Sequence, residues 1–417
     1  MEKKETGNIK VGTVSLVCIF IAYAVTLNTF SVGSAQAGHL SFKNGVIMIL
    51  IGWVGLAIVG SLSGEVGFLS GGRGPEAFKK VFGSGAYRIP SVLASVALEG
   101  FTVFDYWYVG KAFMNLFPSL KSGAFYIGIV FLAAAAILGA IKDISSLKWL
   151  TTCTIPIAVI LCVIILVVTI NQGGGMEVIM NYKPPVEETS IIIGANVMFS
   201  CWLSTVPGFM DFTSQSKTRK AVWIAIPIGM FAIAFQYFIG QVGTYVFGIS
   251  DFTSLSAALA GVSAALGLIC NLFTLFAQAN TVPATTIMVT SHLNSSLGLP
   301  KKAVIFGQPI IAALLSIAMF LGADIGIINT FGTFVGFLFA PLLGAIFAEF
   351  YVVGRKKFRS DDELPGISVS GVICIVAGFI LGVLFTYVWN IQIPVAMLLL
   401  VLCFVLHLFL RKVLHLS

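Results

Sequence analysis

Two stretches of this chain hold polar side chains whose types and spacing could do chemistry. The first is Leu98-Glu-Gly-Phe-Thr-Val-Phe-Asp-Tyr-Trp-Tyr108. It carries two acids, Glu99 and Asp105, in apolar surroundings, where an ionisable group is costly and usually functional. Phe101 and Asp105 stand four residues apart and share one face of a helix. An aromatic plate beside a carboxylate suits a flat polar ring, which stacks on one and hydrogen-bonds the other. A buried carboxylate can also carry a proton, so Asp105 is a candidate for ion coupling too. Glu99 points well away from that face and is the second acid that could serve coupling. The plainer role for either is pairing with a buried polar group or with Lys111. The second stretch is Ala277-Gln-Ala-Asn-Thr-Val-Pro283. Gln278 and Asn280 supply donors and acceptors, and Pro283 frees a backbone carbonyl. Hydrogen bonding between helices is the competing use of those amides. Glu65 reads as structural, and Asp211, ahead of Lys217, Arg219 and Lys220, as a gate residue or ion-pair partner.

These residues need elements to position them, and composition says which. The chain has 417 residues, 58% hydrophobic and only 10% charged, with a mean hydropathy of +1.01. A soluble domain needs more charge to cover its surface. Repeated apolar runs of about 20 residues cross a hydrocarbon core. The pattern gives twelve spans: 12–37, 45–70, 89–115, 124–141, 149–170, 189–209, 221–248, 257–290, 303–322, 326–350, 368–388 and 393–410. Met1 to Lys10 is polar, and the run from Val11 to Ala37 is too long for a signal segment.

Charge alternation supports the count. One set of loops carries Lys3, Lys4 and Lys10, then the basic groups at 73–88, 142–148, 217–220, 301–302, 355–359 and 411–412. The other carries only Lys43, Lys121 and Lys183. Twenty of the 24 Lys and Arg fall in the first set, which puts both termini in the cytoplasm of a multi-pass cell-membrane protein. The net charge of +7 is thereby explained by topology, without nucleic acid. The seven cysteines lie in apolar runs and read as packing residues. His39, His292, His407 and His415 are scattered, so no metal site is expected. Asn171 to Glu188 reads as an outer connector, and Arg355 to Pro365 as a charged linker before the last two spans.

Two spans are interrupted. The first contains Ser31-Val-Gly-Ser-Ala-Gln-Ala-Gly38 and the sixth Ser200-Cys-Trp-Leu-Ser-Thr-Val-Pro-Gly208. Unpaired backbone at membrane depth is tolerated where it lines a cavity. Breaks in corresponding spans of two inverted halves point to a binding site at the midplane. The expected fold is therefore all-α and polytopic, a five-plus-five inverted repeat with broken first and sixth helices. Residues 1–170 and 171–354 form the halves, and 355–417 two peripheral spans.

Four stretches, in order, resemble the nucleobase–cation symporter-1 family, which includes cytosine, allantoin and hydantoin permeases. They are Ser61-Leu-Ser-Gly-Glu-Val-Gly67 with Phe82-Gly-Ser-Gly85 and Ile89-Pro-Ser91; Trp202 to Asp211-Phe212 with Lys217 to Lys220 behind it; Gln278-Ala-Asn-Thr281; and Gly332 to Glu349 with Pro341 inside and Arg355-Lys-Lys357 after it. The resemblance spans about ten of the twelve helices. It implies alternating access and a flat heterocycle held between aromatic side chains. Phe101 falls at the family's third-span stacking aromatic, and Asp105 where a hydrogen-bonding glutamine can occur. Trp202 falls at the sixth-span aromatic with Ser204 near it, Asn280 on the asparagine of a Thr-Asn motif, and Gln36 in the first-span break. Asp105, Glu99, Gln278 and Gly33 are the positions expected to serve the coupling ion. Sodium-coupled members place hydroxyl residues where Gln278 and Ala279 stand here, so Na+ and H+ both stay open. An acid at position 105 suggests a substrate richer in donors or cationic.

The leading expectation is cation-coupled symport of a nucleobase or related nitrogen heterocycle. The partners are then a small heterocyclic substrate and membrane lipid, with no cofactor and a chain compatible with a monomer. An amino-acid or amine symporter on the same fold is the alternative. An enzyme would need convergent His, Asp or Glu clusters at one depth, and a channel rings of like polar residues.

Overall fold

The computed structural model describes residues 10–322 and 327–413, with the side chains of 327–329 left aside. Lys3, Lys4, His415 and the first residue of the expected tenth span lie outside the described residues. Helices dominate, and among the described residues the one β contact is an isolated bridge between Val11 and Ser216. Among the described residues nine helices are long and apolar enough to cross a membrane, and two bent pairs bring the number to eleven. A further helix, Arg88–Leu116, is 29 residues long, about 43 Å at the rise of an α-helix. Glu99, Asp105 and Lys111 keep its hydropathy low, and with it the spans number twelve.

In chain order they are span 1 (Thr13–Ala24 and Leu27–Ala37), span 2 (Phe42–Ser70), span 3 (Arg88–Leu116), span 4 (Ser122–Ala140), span 5 (Ile144–Gln172) and span 6 (Ile191–Trp202 and Val206–Thr213). Then come span 7 (Arg219–Phe247), span 8 (Ala264–Leu297), span 9 (Lys301–Phe320), span 10 (Ile327–Phe347, closing in a π-helical turn Ala348–Val353), span 11 (Val369–Val388) and span 12 (Val395–Lys412). The expected eighth span began at 257. The structure instead ends a short helix, Phe252–Val262, at Ser263 and starts span 8 one residue on. Ser263 is extended, and its hydroxyl accepts from the Ala265 amide, which is N-cap chemistry.

Span 1 packs on span 7, span 2 on span 7, and span 3 on span 8. These contacts enclose the interior of the bundle. Spans 4, 5 and 9 turn large apolar side chains such as Val130, Ile160 and Leu314 outward, as lipid contact requires. Spans 11 and 12 pack on span 10.

Ion pairs cluster at the ends expected to be cytoplasmic. Glu65 is buried and takes Arg219 at 2.6 Å and Lys356 at 3.5 Å, the structural role the sequence suggests. Glu349 takes Arg411 at 3.1 Å, His407 at 3.0 Å and Arg359 at 3.4 Å, tying span 10 to span 12. Hydrogen bonds from Lys79 and Lys80 hold the Asp361 carboxyl down to about 2, fixing the charged linker to the helix Gly74–Phe82.

Candidate functional site

The two bent spans break by different means. Span 6 bends 51° between Trp202 and Val206. Pro207 and Gly208 follow in a 3-10 turn, and Thr205 Oγ1 caps the Trp202 carbonyl at 2.7 Å. This lies inside the stretch the sequence marks. Span 1 bends 56° at Val25–Thr26, five to six residues before the marked stretch at Ser31 to Gly38 begins. That stretch is a regular helix. Its small residues serve close packing: a Cβ on Gly33 would come within 2.5 Å of the Tyr237 carbonyl. Ser31 donates back to Leu27 O and contacts the Tyr108 hydroxyl. Ser34 donates to Gly240 O at 3.1 Å.

What opens span 1 comes from other helices. Thr26 is extended, and its hydroxyl donates to Asp105 Oδ1 at 2.8 Å. Asn28 Nδ2 donates to the same oxygen at 2.9 Å. With its amide oriented to satisfy both neighbours, Gln278 donates to Asp105 Oδ1 at 3.1 Å and accepts from the Leu27 amide at 3.1 Å. One carboxylate oxygen thus receives three donors and holds the break in place. Asp105 Oδ2 has no hydrogen-bond partner among the described residues, and Asp105 makes no ion pair among them. Lys111 lies instead over the rings of Trp107 and Phe320.

Asp105 lines a cavity at the break. Tyr23, Phe101, Trp202 and Tyr237 supply its aromatic wall, and Thr26, Asn28, Asp105, Thr205, Thr281 and Thr285 its polar wall. Tyr23 meets Trp202 edge to face at 5.9 Å. The Oδ1 of Asn28 is a second buried acceptor without a partner. Buried acceptors left unpaired cost free energy until a donor arrives.

The cavity brings together Phe101, Asp105 and Trp202, with Gln278 bonded to Asp105 behind it. It does not bring in the other expected residues. Ser204 is buried but does not line the cavity; Thr205 does, because the bend rotates one residue further. Asn280 is turned to span 5, where its Oδ1 accepts from Thr154 at 2.5 Å and its Nδ2 donates to Phe276 O. Helical spacing explains this, since Ala277, Thr281 and Thr285 form one face and Asn280 stands off it. Gln36 lies near Gly194, more than two turns beyond the true break. Gly33 meets span 7. Glu99 faces a separate cleft. Asp211 accepts from Ser291 at 2.9 Å, while Arg219 goes to Glu65 and Arg73 pairs with Asp143 at 2.6 Å.

Thr281 was overlooked. Its hydroxyl lies 2.9 Å from Ala22 O, 2.8 Å from Val25 O and 3.1 Å from Ala277 O. One hydroxyl carries one proton, so it satisfies one of these carbonyls at a time. Four oxygens converge at the break, the chemistry a hard monovalent cation prefers. The signal was one residue past the amide Asn280. Among the described residues no cluster of His, Cys, Asp or Glu could hold a metal ion.

No protein-family profile matches the chain, and no curated protein sequence does. Solved structures do. Mhp1, a nucleobase-cation-symport-1 family transporter in a closed conformation with bromovinylhydantoin bound, superposes with a TM-score of 0.79 at 16% identity, covering 97% of this chain and 94% of that one. Its inward-facing conformation gives 0.78 at 18% identity, over 97% and 92%. A Na+-coupled sialic acid symporter gives 0.65 at 13% identity, over 98% and 91%. At these identities the likeness is one of fold. This chain shares the fold of these structures, with its own spans 1 and 6 broken, and it is similar in fold to the nucleobase–cation symporter-1 structures.

Proposed function

We propose that this chain is a secondary transporter that carries a small flat nitrogen heterocycle together with a cation. The observation that carries this reading is the free Asp105 Oδ2 in an aromatic cavity at the span 1 break. Oδ1 is committed to structure, so Oδ2 and Asn28 Oδ1 are left for ligand N–H groups. Phe101 and Trp202 offer rings for stacking, which a planar substrate uses at low entropic cost. A nucleobase or pyrimidine precursor with an amino group has the donor edge this pair of acceptors requires. An amino acid fits less well, because its carboxylate would face Asp105 and no Lys or Arg among the described residues lines the cavity. Spans 1–5 (residues 1–170) and 6–10 (171–354) act as the two inverted halves that exchange access, with 355–417 peripheral and both termini cytoplasmic.

The coupling cation has two candidate seats. The oxygen cluster of Ala22, Val25, Ala277 and Thr281 fits Na+ and supplies the hydroxyl that Gln278–Ala279 lack. Asp105 is the seat for a proton. The test is ligand-induced thermal stabilisation of the purified protein against nucleobases, hydantoins, aminopyrimidines and amino acids, with and without Na+. Stabilisation by a planar N–H heterocycle, and by none of the amino acids, is expected. Stabilisation by amino acids alone overturns the reading. Na+ dependence of the shift at fixed pH assigns the ion to Thr281; dependence on pH alone assigns it to Asp105.

A further inference from the structure

Glu99 is a carboxylate in the middle of span 3 that the central cavity does not use. It lines a different cleft, between spans 3, 8, 9 and 10. Eleven residues separate Glu99 from the start of span 3, so it stands about 16 Å in from that end, deep in the hydrocarbon layer. The cleft's rim is apolar, and Val96, Ile311 and Leu315 are 59%, 53% and 50% exposed. Its mouth therefore opens to lipid rather than to water.

The polar floor is a short chain of hydrogen bonds. Thr286 Oγ1 donates to Gln308 Oε1 at 2.8 Å, and Gln308 Nε2 donates to Glu99 Oε2 at 2.7 Å. Thr286 and Gln308 thereby fix which way the amide faces and aim the carboxyl into the cleft. Glu99 Oε1 is buried and has no partner. A carboxylate oxygen at this depth without a donor is a standing energetic demand.

We propose that this cleft is a second ligand site, entered from the bilayer, for lipophilic amines: an ammonium or N–H head on Glu99 Oε1 and an apolar body along Val96, Ile311 and Leu315. Charge complementarity selects the head, since among the described residues lining the cleft the unpaired buried polar atom is an acidic acceptor, Glu99 Oε1. The apolar rim selects the body. The site also touches the transport path, because Phe331 lines the cleft and packs edge to face on Phe101 at 5.0 Å. It is independent of which substrate the central cavity takes.

The probe is a fluorescent long-chain alkylamine, compared with the alcohol of equal chain length, on the full chain in lipid nanodiscs. The amine is expected to bind roughly ten-fold more tightly than the alcohol, as a charge-assisted hydrogen bond gives. Glu99→Gln is expected to erase that preference, and Asp105→Asn to leave it intact. Should Glu99→Gln fail to fold, Gly307→Phe tests the same claim. A Cβ on Gly307 meets no atom within 4 Å and Gly307 lines the cleft, so a ring placed there occupies the cleft and should abolish binding of amine and alcohol alike. Equal affinity for amine and alcohol in the wild type overturns the proposal. So does a preference that survives Glu99→Gln, or binding that survives Gly307→Phe.

Discussion

Span 6 and span 1 bend by nearly the same angle, 51° and 56°, yet they do so for opposite reasons. Span 6 carries its own cause. Pro207 cannot donate to the Leu203 carbonyl four residues back, Gly208 follows it, and the Trp202 carbonyl turns to the Thr205 amide and hydroxyl. Span 1 has neither proline nor glycine at Val25–Thr26. Its break is held by other helices: Gln278 of span 8 takes the Leu27 amide and Thr281 the Ala22 and Val25 carbonyls, while Asp105 of span 3 anchors the Thr26 and Asn28 side chains and Gln278. One break is written locally and the other is held from outside. The second is therefore the one whose geometry depends on a buried acid, and the acid holding it open is also the one facing the cavity.

Removing that acid should have the largest effect. Asp105→Leu leaves Thr26, Asn28 and Gln278 donors unpaired at membrane depth and is expected to cost about 3 kcal/mol or more, read as a lowered unfolding midpoint with no ligand response. Thr281→Val keeps the shape but strips the hydroxyl from three carbonyls. A loss of about 1–2 kcal/mol is expected, together with loss of any Na+ dependence of ligand binding. An unchanged Na+ response would move the ion away from the span 1 break. Pro207→Ala should matter less, at about 1 kcal/mol, because only the local cause is removed. Its mark should be stronger hydrogen-exchange protection of the amides at 203–208, with those at 25–28 unaffected. If both segments respond, the two breaks are coupled and the contrast between them fails. Ser204→Ala should be smallest, within about 0.5 kcal/mol, with ligand binding unchanged, since that hydroxyl is buried and off the cavity.

The same contrast explains what the sequence could reveal. Hydropathy and the alternation of basic loops locate the spans well, because both are sums over many residues. The span 6 break is legible because Pro and Gly are local signals. The span 1 break is not, since Thr26 and Asn28 look unremarkable until Asp105, some 77 residues away in the chain, is placed against them. The small residues from Ser31 to Gly38 resemble a break but are packing residues against span 7. Phe101, Asp105 and Trp202 meet as four-residue spacing and family resemblance suggest. Asn280 and Thr281 are neighbours in sequence, and only helix rotation decides that the threonine faces span 1 while the asparagine goes to Thr154. Tyr23 and Tyr237 offered no pattern of their own. Glu99 was legible as an acid and as pointing away from Asp105, but the lipid-facing cleft it enters is made by spans 9 and 10.

The account rests on a division of labour within one carboxyl group, Oδ1 for the fold and Oδ2 for the ligand. Asp105→Asn separates the two, because the amide oxygen can still accept from Thr26 and Asn28 while the other position becomes a donor. Titration of the variant with the heterocycle that best stabilises the wild type is the direct measurement. The account predicts an unfolding midpoint close to the wild type's and binding weakened by about 2 kcal/mol or more, as expected when a charged acceptor is lost. Wild-type affinity in Asp105→Asn would contradict it.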